Sequence, residues 1–202
     1  MDIKLEGADI VLIANAHNPS IVTHQWLQNN KLIKEEPQNF THTPGFSIFE
    51  SENLFLTVDY QRLQIAAKNY NEEIINSLNN FVVGYIELLP QIPYVALGLN
   101  FMWKAIFTED EKLPEINIVI NDKKINSLLD KTETKCGGII YMKKFPYVLK
   151  IVFEPVHDNI ILFNFNFHHE IKDKAIKEIL DYVNSFINRK AESLEIIEKF
   201  FN

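Results

Sequence analysis

The alternation of apolar and polar positions divides the chain into segments of two different periods. Residues 8–14 (ADIVLIA) form a short, nearly all-apolar run that predicts a buried strand. Asn18-Pro19-Ser20 then signals a helix start, with Asn18 as the cap and Pro19 at the first helical position. Ile21, Val22, Gln25 and Trp26 keep helical spacing, so the helix is expected over residues 19–29. Residues 31–44 are polar, contain two prolines and predict a loop. Three strands follow at residues 46–51, 53–60 and 62–68. In the second, Leu54, Leu56 and Val58 alternate with Phe55, Thr57 and Asp59. In the third, Leu63, Ile65 and Ala67 alternate with Arg62, Gln64 and Lys68. This is the pattern of an antiparallel sheet with one wet face. From Asn71 to about residue 89 the period becomes helical, with an apolar stripe of Ile74, Ile75, Leu78, Val82, Tyr85 and Ile86, and Pro90 ends it.

The pattern then restarts. Residues 94–107 form a long strand-like segment, followed by a charged loop at 108–114 and, at 116–120, either a short strand or an extension. Asn121 caps an expected helix at 122–131. Residues 136–144, 147–154 and 159–168 predict three more strands. In the last, Ile161, Phe163, Phe165 and Phe167 alternate with Leu162, Asn164, Asn166 and His168. A final helix is expected over 171–189 and a short helical segment over 193–201.

Both halves therefore present strand, helix, three strands and long helix. The two long helices superpose at an offset of 101 residues: Ile75 on Ile176, Leu78 on Ile179, Val82 on Val183, Tyr85 on Phe186 and Ile86 on Ile187. The expectation is an α+β fold of two β-α-β-β-β-α halves. They join into one curved, mainly antiparallel sheet with the long helices packed on one face. The chain would be a single domain, with halves at about 1–90 and 91–190 and a C-terminal helical extension at 191–202. This order of elements resembles duplicated TATA-box-binding-protein-like folds. The resemblance covers element order alone, and no DNA-binding motif of that family accompanies it, so DNA bending is not carried across. Val11-Leu12-Ile13, Asn18-Pro19, Trp26 and Ala96-Leu97-Gly98-Leu99-Asn100 are also similar to an uncharacterised bacterial protein family.

Composition narrows the function. The 202 residues are 47% hydrophobic and 12% aromatic, enough for a sizeable core. The net charge is −7, and Arg62 and Arg189 are the only arginines, which argues against tight sequence-independent nucleic-acid binding. The single cysteine, Cys136, excludes a disulfide framework and a Cys-rich zinc site, and points to a reducing cytoplasm. Asp2, Lys4 and Glu6 interrupt the N-terminus before any apolar core of a leader forms, and no apolar stretch reaches spanning length.

No nucleotide-loop or hydrolase-elbow motif occurs. His168-His169-Glu170 ends a strand, where neighbouring side chains point to opposite faces and chelate poorly. His157 and Asp158 sit in the preceding turn, at the other end of the hairpin. His17 and His24 bracket the first helix without a third ligand. Cys136-Gly137-Gly138 places a thiol beside backbone amides, but no base is positioned for it. No catalytic residue, metal or cofactor is therefore expected.

The best functional surface is the polar sheet face: Thr57, Asp59, Arg62, Gln64, Lys150, Asn164, Asn166 and His168. Amides and mixed charges suit hydrogen bonding to a protein strand, a peptide or a polar ligand. Leu194, Ile197, Phe200 and Phe201 form a second candidate, an apolar tail that either folds back on the core or docks on a partner. The first expectation is a non-enzymatic interaction protein of the bacterial cytoplasm. It binds a protein partner, or itself, through the sheet face, a sheet edge or the C-terminal helix, and not a membrane. The alternatives are a ligand-binding protein or enzyme using His168 as acid or base, and a nucleic-acid-binding protein using Lys143, Lys144, Lys150 and Arg62.

Overall fold

The computed structural model describes residues 1–108, 137–157 and 159–201. They form an α+β fold built on one antiparallel sheet of nine strands, in the order β2-β3-β4-β5-β1-β6-β9-β8-β7. The strands are β1 (Asp2–Ala14), β2 (Asn39–His42), β3 (Phe46–Glu50), β4 (Leu54–Asp59), β5 (Arg62–Ala67), β6 (Tyr94–Ile106), β7 (Gly138–Lys144), β8 (Tyr147–His157) and β9 (Ile160–Glu170). Four helices accompany them: α1 (His24–Asn29), α2 (Glu72–Leu88), α3 (Ile176–Asn184) and α4 (Phe186–Phe201). The strand expected at 116–120, the helix at 122–131, Cys136 and Asp158 lie outside the described residues.

The two longest strands pair in the middle of the sheet. β1 runs antiparallel to β6 from Asp2↔Ile106 to Ala14↔Tyr94. A register shift between Leu5 and Gly7 inserts one extra residue, Glu6. Period two then changes phase, so Ile3 and Leu5 lie on the same face as Ala8, Ile10 and Leu12. That phase change makes β1 thirteen residues long where the apolar run alone marks only 8–14. Gly7 lets the strands approach closely at this shift: a Cβ there would crowd the Met102 Cβ at 3.0 Å.

One row of side chains is buried on every strand but the two edge strands, β2 and β7. It includes Ile10 and Leu12 on β1, Leu99 and Phe101 on β6, and Phe163, Phe165 and Phe167 on β9. Helix α2 packs on β1 and β5 through Ile75, Leu78, Val82 and Tyr85, and α4 packs on β6 and β9. Phe101 stacks on Phe186 at 4.8 Å between ring centres. The Asn71 side chain caps α2 by accepting the Ile74 N–H at 2.9 Å, and Glu72 and Glu73 complement the positive end of the helix.

Three boundaries differ from those expected, each for a local reason. The 19–29 segment is a 3-10 turn, Pro19–Ile21, followed by α1. Asn18 does not cap it; its Oδ1 accepts the Ser20 hydroxyl at 2.5 Å, and Thr23 caps α1 instead. The expected loop at 31–44 contains β2, a four-residue edge strand paired with β3 and too polar to show a buried row. The last long helix breaks at Ser185, whose hydroxyl donates to the Tyr182 carbonyl at 2.7 Å. The chain then re-enters the core through Phe186 and stays helical to Phe201.

A buried polar contact fixes α4 to the sheet. The Trp103 indole N–H donates to Ser193 Oγ at 2.8 Å, and Ser193 Oγ donates to the Lys190 carbonyl at 2.7 Å. Ser193→Ala leaves a buried indole N–H without a partner, which costs about 1–3 kcal/mol. Urea unfolding is expected to show that loss. Ser193→Ala in a Trp103→Phe background should cost less than it does alone, since the orphaned donor is gone.

Candidate functional site

The unburied row of the sheet carries the polar chemistry. One rung crosses seven strands through Glu50, Phe55, Ala66, Asp9, Asn100, Asn166 and Lys150, and continues to Tyr141 on β7. The neighbouring rung contains Thr57, Gln64, Val11, Gly98 and His168.

Asp9 is the centre of a hydrogen-bond relay on this face. Its Oδ1 accepts from Gln64 Nε2 at 3.0 Å and from Asn100 Nδ2 at 2.9 Å. Asn100 Oδ1 accepts from Asn166 Nδ2 at 2.5 Å, and Gln64 Oε1 accepts from Arg62 Nη2 at 2.7 Å. An ionised carboxylate only accepts, so both amides touching it must present nitrogen. Their oxygens then face outward and fix the next donor on either side. Gly98 makes room for the last amide: a Cβ there would lie 3.2 Å from Asn166 Nδ2.

Among the described residues, Asp9 has no ion-pair partner and its Oδ2 has no hydrogen bond. Burial raises its carboxyl above the usual carboxylate range, and the two amides and the Arg62 charge offset only part of that. Beside it lies an open depression of about 370 Å³, lined by Gly7, Asp9, Asn100, Met102, Lys150, Val152, Asn164 and Asn166. The Asn164 side chain is unengaged among the described residues, and Lys150 Nζ lies over the Tyr141 ring at 5.9 Å from its centre.

The eight residues singled out from the polar face separate into groups. Thr57, Arg62 and Gln64 sit on β4 and β5, while Lys150, Asn164, Asn166 and His168 sit on β8 and β9. Asp9 and Asn100, which sequence reasoning missed, join the two sets. The signal was a single carboxylate inside ADIVLIA and a single amide inside the 94–107 run. Asp59 acts locally, its Oδ1 accepting the N–H groups of Gln61 at 2.7 Å and Arg62 at 2.9 Å and so closing the β4–β5 turn.

His168 lines a separate open cavity of about 390 Å³ with Lys143, Lys144, Phe145, Pro146, Glu170, Lys174 and Tyr182. It makes no hydrogen bond among the described residues. His157 pairs with Ile160 at the opposite end of the β8–β9 hairpin. Lys144 donates to Glu192 at 2.6 Å, as does the Tyr147 hydroxyl, and Arg189 pairs with the other Glu192 oxygen. Arg62 on β5 lies five strands from the β7 lysines, about 24 Å at the usual strand spacing, so the four basic residues do not form one patch.

The tail residues fold back on this chain's own sheet. Ile197 is buried, Leu194 packs against the core, Phe200 contacts Phe153 and Phe163, and Phe201 contacts Phe107 at 5.0 Å. Among the described residues no cluster of His, Cys, Asp and Glu could hold a metal ion, and no helix is long and apolar enough to cross a membrane. No known family model and no curated protein sequence matches the chain.

Two buried histidines govern the acid response. His17 donates from one ring nitrogen to the Leu12 carbonyl and meets the Tyr85 hydroxyl at the other, both at 3.1 Å. Burial lowers its pKa, and burial together with the Arg189 and His168 charges lowers that of His169 to about 4. Their stabilisation is complete above the unfolded value near 6.5 and is lost as pH falls through the folded values. Asp9 has the opposite sign: its raised folded pKa means stability is gained as pH falls towards the unfolded value of 3.8. His169→Phe should flatten the loss of stability between pH 6.5 and 4, by at most about 1.4 kcal/mol per pH unit. Asp9→Asn keeps an oxygen for both amides, so it should raise the urea midpoint at pH 7 and steepen the acid loss. Urea titrations at pH 7, 6 and 5 measure both.

Proposed function

We propose that this chain is a non-enzymatic interaction or accessory protein of the bacterial cytoplasm that binds a protein partner through the open face of its sheet. The observation that carries this reading is the Asp9 relay, a row of oriented polar side chains crossing four strands and ending in an unclaimed carboxylate oxygen. Three of its five members, Gln64, Asn100 and Asn166, are amides, which neither take up protons nor attack bonds near neutral pH, and this favours binding over catalysis. His168, with no hydrogen-bonded carboxylate among the described residues, lacks the partner that acid–base work there would use. The apolar tail is already occupied by the core, which favours the sheet face over the C-terminal helix as the contact surface.

The architecture behind this surface is read as two related halves. The strand orders β3-β4-β5-β1 and β7-β8-β9-β6 mirror each other about the β1–β6 pair, and each half ends in a helix packed on its own first strand. In this reading the sheet is curved, the long helices share its buried side, and the arrangement is TATA-box-binding-protein-like. The working face is then the concave one.

A photocrosslinking amino acid placed at Thr57 or Val152 tests the assignment in cells of the native host, with Ile187 on the exposed side of α4 as comparison. A discrete protein adduct is expected from 57 and 152 and not from 187. Adducts only from 187, or to nucleic acid, would overturn it.

A further inference from the structure

We propose that the edge strand β7 pairs antiparallel with β7 of a second copy of this chain, joining two sheets into one across a two-fold axis at Ile140. The pairing goes beyond the open-face reading and does not depend on which partner that face binds.

The edge itself comes first. β2 and β7 end the sheet, and they are finished differently. β2 has four residues, too short a run to template another chain. β7 has seven, Gly138–Lys144, and its middle four, Ile139, Ile140, Tyr141 and Met142, are exposed large apolar side chains. Ile139 keeps 58% of its surface and Tyr141 66%. No proline or carboxylate blunts the strand, and its lysines stand only at one end. Among the described residues no strand lies beyond it. A long apolar edge of this kind presents a row of backbone N–H and C=O groups to a further strand.

Charge selects a second copy as that strand. Lys143 shares the open face with Tyr141, and Glu154 shares it with Lys150 and Val152. Both are exposed, and neither has an ion-pair partner among the described residues. Within one copy they cannot meet: Lys143 lies opposite Val148, six residues along β8 from Glu154, about 20 Å away. A two-fold axis at Ile140 reverses one hairpin against the other. Lys143 of each copy then falls opposite Gly137 of the other, and Gly137 lies beside Glu154, its added Cβ only 3.5 Å from the Glu154 Cα. Two strand spacings, about 10 Å, separate the lysine and glutamate backbones. Two long side chains close that gap over a residue that has none, and the symmetry makes the pair twice. Parallel pairing in register would instead set the lysines of one copy against those of the other.

The same register fits the apolar side chains. On the open face Ile139 lies opposite Tyr141 of the other copy, a β-branched and aromatic pair that also occurs twice. On the helix side Ile140 meets Ile140, and Met142 falls opposite Gly138. The Phe153 ring lies where a Gly138 side chain would project, 2.5 Å from an added Cβ, so the thioether meets an aromatic surface. Helix α4 packs on β6 and β9, and an open space of about 230 Å³ separates it from Met142, so both copies keep their helices on one side without collision. The contact is isologous and closes at two copies, leaving the short β2 strands as the only edges of the joined sheet.

Sedimentation equilibrium of the full chain over a range of concentrations reads the assembly, and a reversible dimer is expected. Lys143→Glu and Glu154→Lys each bring like charges together at both contacts, and each should weaken the dimer about tenfold. Both positions are exposed, and circular dichroism confirms that the variants fold. The double variant Lys143→Glu/Glu154→Lys restores opposite charges and should return the dissociation constant close to the wild-type value. In a Cys136→Ser background, Ile140→Cys should give a covalent dimer on mild oxidation, and Thr41→Cys on β2 should not. A monomer at every concentration overturns the proposal. So does a monomer whose β7 amides resist hydrogen exchange, because the edge is then covered within one chain. A dimer unchanged by either single substitution, or lost in both and not regained in the double variant, overturns it as well.

Discussion

A carboxylate can only accept hydrogen bonds, and the polar face of this protein is organised by that one-way chemistry. Asp9 sits on β1 between β5 and β6, and everything that touches its Oδ1 donates to it. Gln64 and Asn100 must turn their nitrogens inward, so their oxygens turn outward and select Arg62 on one side and Asn166 on the other. Neutral amides alone would tolerate either orientation. The charge at the centre removes that freedom and leaves four strands with one consistent polarity.

The same residue depends on the fold beneath it. β1 and β6 pair over nearly their whole length, and both bury one row of side chains under helices α2 and α4. With Ile10 and Leu12 pointing into the core, period two places Asp9 and Val11 on the other face. The extra residue at Glu6 sets where that phase begins, and the glycines at 7 and 98 let the central strands and the Asn166 amide approach closely. The Trp103–Ser193 contact holds α4 against β6 from below. The relay is the wet side of a sheet whose dry side is held by aromatic packing.

Much of this was legible in the chain, because alternation is a strong signal wherever one face is dry. The strands around Leu54–Val58, Leu63–Ala67 and Ile161–Phe167 lie where their patterns put them, and so does the helix with Ile74, Ile75 and Leu78 on one stripe. What escaped was hidden by local competition. β2 has too few apolar residues to alternate visibly, and Asn18 bonded Ser20 instead of capping a helix. Ser185 competes for a helical carbonyl and breaks a stripe that continues across it. At the candidate site, Thr57, Gln64, Lys150, Asn164 and Asn166 were visible as polar members of alternating strands. Asp9 and Asn100 were not, because their neighbours made both segments look wholly apolar. Strand order joined the two sets, and no local pattern encodes which strands meet in the middle of a sheet.

The placement of Asp9 also bears on why a stable protein would retain it. Burial disfavours its charge, and the two amides that hold it would be held as well by an asparagine. On folding grounds alone the carboxylate is the poorer choice. Natural sequences depart from local consistency chiefly where something other than folding is being selected. Two other half-buried carboxylates are held by groups of this chain: Glu192 meets Lys144, Tyr147 and Arg189, and Glu178 meets Lys174 and Tyr182. Asp9 departs from them at the centre of the sheet, with its free oxygen facing an open depression. Gln64 and Asn100 both turn a donor to one oxygen of Asp9 and leave the other open to that depression, so the carboxylate orders the relay at the expense of its own solvation.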